Sequence, residues 1–155
     1  MISRAPIPLA TPLRGLVAAL LLAPLAIGCS SFDPAAETAI GEFPADPLMT
    51  VSTEARALSL EVRTSPTQPP SRGSVAVEYR ASDAKGAPVT GLVVELVAWM
   101  PAMGHGASGT PTVSETGEGR YVARGIDLSM AGRWELRTTF TGPASDHATV
   151  VFDVP

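Results

Sequence analysis

The chain predicts an all-β fold, a single sandwich of about seven antiparallel strands. From about Ala57 onward, apolar and polar residues alternate with period two. Glycine, proline and aspartate clusters interrupt the alternation at the spacing of roughly eight to twelve residues that short sandwich strands show. No stretch carries an apolar period of about 3.6 residues over three turns, which a core helix requires. The architecture is immunoglobulin-like only in outline, since the chain has no Cys…Trp…Cys pattern.

The elements follow in order. Arg4 and Arg14 precede an apolar segment, residues 15–27, that is interrupted by Pro24. This reads as an export signal covering residues 1–28. The segment falls short of the roughly 20 apolar residues that a permanent membrane-spanning helix needs. It ends in Leu25-Ala26-Ile27-Gly28-Cys29, which resembles the bacterial lipobox, whose cysteine becomes the first residue of the mature protein and carries lipid. Cys29 is the only cysteine, and lipidation explains a lone thiol in an exported protein. The alternative is an ordinary cleaved signal with an incidental cysteine. The expected location is the cell envelope, by lipid anchor on the outer membrane or the periplasmic face of the inner membrane. Cleavage before Cys29 leaves 127 of 155 residues, with nine basic against 15 acidic side chains. That negative balance argues against nucleic acid as a partner.

Residues 29–55, rich in proline, alanine and acid, read as a flexible tether, and residues 56–155 as the domain. Leu58, Leu60 and Val62 alternate with polar residues, as do Val75, Val77 and Tyr79. The run from Gly91 to Trp99 is more continuously apolar and reads as a central strand. Thr116-Gly117-Glu118-Gly119 marks a hairpin turn, and Trp134, Leu136, Thr138 and Phe140 face one way. Ala148, Val150, Phe152 and Val154 complete the inward set. Counting strand reversals puts the loop after Trp99 and the loop around Met130 at one end. The same count puts His147 at the other end, and has the tether joining the domain away from the methionines.

Trp99-Met100-Pro101-Ala102-Met103-Gly104-His105-Gly106 concentrates two thioethers and an imidazole in a chain of five methionines and two histidines. Such donors suit copper better than hard cations, and thioether favours Cu(I). Met100, Met103 and His105 are the candidate ligands, with Met130 from the second loop as an addition and Trp99 and Trp134 as apolar walls. Methionine is also a flexible core filler, so a cap on the open end of the sandwich is the competing reading. In that reading the chain is a metal-free protein-binding or scaffolding module of the envelope. No enzyme is expected, because Ser108, Ser114, Asp127 and His147 form no nucleophile-and-base motif and two histidines leave little for a hydrolytic zinc site.

The Met100-Pro101-Ala102-Met103-Gly104-His105 run resembles the Met-Pro-x-Met-Gly-His of YtkA-like domains, which are related to FixH-like domains. Gly119-Arg120-Tyr121 and Met130-Ala131-Gly132-Arg133-Trp134 are similar to the family's downstream Gly-x-Tyr and Met-x-Gly-x-Trp segments. The resemblance implies a small exported β-sandwich over roughly residues 58–154. It also implies copper binding or delivery, with copper-handling, efflux or oxidase-assembly proteins as partners.

Overall fold

Period-two alternation closes into nine strands in two antiparallel sheets in the computed structural model, which describes residues 42–155. The predicted signal segment, Cys29 and the first part of the predicted tether lie outside the described residues. The strands are β1 (Met49–Ser52), β2 (Ser59–Ser65), β3 (Gly73–Ser82), β4 (Val93–Met100), β5 (His105–Gly106), β6 (Thr112–Gly117), β7 (Arg120–Leu128), β8 (Gly132–Thr141) and β9 (Asp146–Val154). One sheet runs β1-β2-β3-β7-β6 and the other β5-β4-β8-β9. The predicted β-sandwich is therefore the fold of the domain.

Every residue set predicted to face inward from β2, β3, β8 and β9 is buried: Leu58 to Val62, Val75 to Tyr79, Trp134 to Phe140, Ala148 to Val154, in alternation. Alternating side chains take opposite faces of a strand, so one buried face forces this pattern. Tyr79 bridges the sheets, its hydroxyl 3.0 Å from that of Thr138 and its ring edge-on to Phe140. Burial raises the Tyr79 phenol to about 12, so it stays neutral in the core.

Three expectations about placement are corrected. First, part of the predicted tether is structure: Met49–Ser52 pairs antiparallel with β2, Met49 opposite Val62 and Ser52 opposite Ser59. A four-residue edge strand is too short for its alternation to stand out. Second, β1 reverses the direction in which the chain comes in. The guanidinium of Arg63, 3 % exposed, binds the carbonyls of Pro44 and Ala45, and Gln68 in the β2–β3 connection binds that of Asp46. Gly73, just after that connection, pairs with Leu128, just before Met130. Residues 44–46 therefore sit at the same end as the Met130 loop, not away from it. Third, β4 is not central. Its pairing with β5 covers only Trp99 with Gly106 and Met100 with His105, so most of β4 is an edge.

The ends of the sandwich differ in construction. At the end away from Met130, Tyr121 donates to the Val89 carbonyl at 2.9 Å and accepts from the Leu92 amide at 3.0 Å. Gly119 is needed beside it, because a Cβ there would lie 2.6 Å from the Ala81 carbonyl. Buried Asp146 accepts the Ala55 and Ala57 amides and so ties the β1–β2 turn to β9. The Thr53 hydroxyl leads the Ala55, His147 and Ala57 amides in holding the Asp146 carboxyl well below its ordinary range. The other end gathers the β4–β5 turn, the β7–β8 loop and the last residue pair of β9, Val154 with Gly132.

Candidate metal site

Pro101 follows the last residue of β4 and cannot continue its ladder. The chain turns at once, the Met100 carbonyl accepting the Met103 and Gly104 amides at 3.1 and 3.0 Å. Gly104 takes φ +68°, a left-handed position that glycine occupies without strain. β5 then returns His105 opposite Met100.

The four predicted ligands differ in access. Met103 is 56 % exposed, His105 is exposed and Met130 is half-buried. Met100, which the sequence assigns to the loop, instead ends β4 and is 5 % exposed in the core. Its terminal methyl lies against Gly132, where an added Cβ would come within 2.7 Å. Met100 is thus the contact that brings the Met103 turn beside the β7–β8 loop. Trp134 fixes the same loop from within, its buried indole donating to the Met130 carbonyl at 2.9 Å. The spacing Met-x-Gly-x-Trp therefore has a mechanical meaning: Met130 supplies a carbonyl, Gly132 leaves room for a methyl, and Trp134 supplies the donor.

The two tryptophans do not wall one site. Trp99 pairs with Glu135, the neighbour of Trp134, so the indoles take opposite faces of the sheet. Trp99 lies outside, under the Arg137 guanidinium at 5.0 Å.

His105 shows the most specific chemistry. Its Nδ1 lies 2.9 Å from the Gly106 carbonyl. A carbonyl only accepts, so Nδ1 carries the proton and, in the neutral ring, the lone pair is on Nε2. Metal-bound histidines are oriented in this way by a backbone carbonyl on the other nitrogen. Among the described residues no three of His, Cys, Asp and Glu come together. With a soft sulfur and an imidazole exposed two residues apart, the donor set fits copper.

The remaining polar candidates are dispersed. His147 pairs with Thr139 toward the opposite end, its Nδ1 3.2 Å from the Thr139 hydroxyl. Asp127 pairs with Ser74 in the sheet, Ser114 lies in β6, and Ser108 is exposed between β5 and β6. Sequence reasoning missed Gly132 and the Gly106 carbonyl as parts of the site. A glycine two residues before a core tryptophan was the available signal for the first; the second, a main-chain group, leaves none.

No curated protein and no solved structure matches the chain. The family model for YtkA-like proteins matches residues 54–139, which span the strands from β2 through most of β8 and all three motifs noted above. The chain belongs to the YtkA-like family.

Proposed function

We propose that this is a copper-binding module of the cell envelope that takes Cu(I) at the end carrying Met103 and His105, for copper handling or delivery. The supporting observation is the exposed His105, whose Nδ1 faces the Gly106 carbonyl, two positions along the chain from the exposed thioether of Met103. Met130, half-buried on the adjoining loop, is the third donor. Met100 belongs to the set by position, but its burial makes it chiefly the hinge that holds the two loops together. Copper when bound would supply a soft, redox-active centre; the chain supplies orientation of the imidazole and an apolar floor. In this reading the protein is not an enzyme, and Cys29 anchors it by lipid to a membrane, where copper-handling, efflux or oxidase-assembly proteins are its partners.

The second reading, a metal-free binding or scaffolding module with the methionines as a cap, draws its support from the 5 % exposure of Met100. Competition against a chromophoric Cu(I) chelator separates the two. Wild type is expected to withdraw one equivalent of Cu(I), and Met103→Leu and His105→Ala each at least tenfold less effectively. Equal chelator competition by wild type and a variant lacking Met103, His105 and Met130 would overturn the copper reading.

A further inference from the structure

Four of the five methionines lie among the described residues, and they differ in access to solvent. Met103 is 56 % exposed, Met49 and Met130 are half-buried, and Met100 is 5 % exposed. Met103 also stands outside the hydrophobic core, against which both half-buried methionines pack. Its neighbours Ala102 and Gly104 are exposed as well, so the tip of the turn stands in solvent.

The turn does not depend on the Met103 side chain. Its shape is set by the bonds from the Met103 and Gly104 amides to the Met100 carbonyl and by the positive φ of Gly104. Met100 is the opposite case. Its terminal methyl packs where a Cβ on Gly132 would come within 2.7 Å, and an oxygen added to its sulfur would break that packing.

Hydrogen peroxide oxidises an accessible thioether by two electrons. The sulfur lone pair attacks one peroxide oxygen, the O–O bond breaks, and the second oxygen takes up the proton of the first and leaves as water. The product, methionine sulfoxide, is polar, and methionine sulfoxide reductases return it to the thioether at the expense of a thiol. Its oxygen is a harder donor than the sulfur it covers, and so a poorer ligand for Cu(I).

We propose that Met103 is a redox-modification site, oxidised by peroxide ahead of the other described methionines, and that its sulfoxide weakens Cu(I) binding at the rim. The inference rests on the copper reading above and adds a regulation to it, because soft metal and oxidant compete for one sulfur lone pair. A bound soft cation therefore protects Met103, and oxidation of Met103 releases the metal.

The test treats the mature protein with hydrogen peroxide and follows each methionine by peptide mass spectrometry, with and without Ag(I), a soft cation that peroxide does not cycle between oxidation states. Met103 is expected to oxidise at least tenfold faster than Met100 and ahead of Met49 and Met130, with the melting temperature unchanged. Ag(I) is expected to slow Met103 at least tenfold. Protein oxidised at Met103 should compete with the Cu(I) chelator at least tenfold less well, and sulfoxide reductase with dithiothreitol should restore it. Met103→Leu, already weaker, is expected to lose nothing further on peroxide treatment. Earlier oxidation of Met49, Met100 or Met130, undiminished competition by the sulfoxide, or an equal further loss in Met103→Leu overturns the proposal alone. If the unmodified protein withdraws no Cu(I), the copper reading falls and the proposal falls with it.

Discussion

The two ends of the sandwich are held by different forces. The end with Tyr121 and Asp146 is laced by side-chain hydrogen bonds to main chain, and Gly119 packs there against the Ala81 carbonyl. At the other end Arg63 and Gln68 bind the carbonyls of residues 44–46, but the rim with Met103 and His105 rests on apolar contact from below, Met100 on Gly132, and on the indole bond from Trp134 to Met130. Hydrogen-bonded lacing leaves its polar groups satisfied and inert. An apolar floor under an exposed rim leaves thioether and imidazole free for chemistry. The difference is that one end turns its polar side chains onto main chain, while the rim of the other leaves a thioether and an imidazole exposed.

The largest effect tests the apolar floor. Trp134→Ala removes a fully buried indole and should cost about 3–5 kcal/mol in denaturant unfolding. A loss under 1 kcal/mol would mean that the Met130 end is not built on this side chain. Tyr121→Phe leaves the Leu92 amide without its acceptor and should cost about 1–3 kcal/mol, measured the same way.

Asp146→Asn should lower the melting temperature at neutral pH. The folded carboxyl is depressed, so its contribution is complete above the ordinary carboxylate range, about pH 4, and is lost as pH falls through the lower folded value. The gap between wild type and variant should therefore narrow in acid. A gap that widens there would assign the stability to another group.

The smallest effect is the sharpest contrast. Met103→Leu and His105→Ala lie on exposed side chains and should change stability by less than about 0.5 kcal/mol. If either costs as much as Tyr121→Phe, the rim is structural and the distinction between the ends fails.

Which residues face the core was legible because a half-buried strand writes its burial into every second position, as Leu58 to Val62 and Ala148 to Val154 do. Edge status was not legible. The apolar run before Met100 reads as central, yet Val93 and Val97 are exposed, since whether a strand has neighbours on both sides depends on distant segments. β1 and β5, four and two residues long, carry too little pattern to detect. At the site, residue types and the pairing of the two loops were readable, and the burial of Met100 was not. Its fate depends on the space left by Gly132, a contact across 32 positions of sequence.

The pairing of Val154 with Gly132 has a practical consequence for anyone measuring copper on this protein. A polyhistidine extension after Pro155 would emerge beside the β7–β8 loop and bring a row of competing imidazoles to the very rim under titration. Affinity handles belong instead in the exposed turn at Gly86, on the far side of the molecule, or must be cleaved away before the first addition of metal.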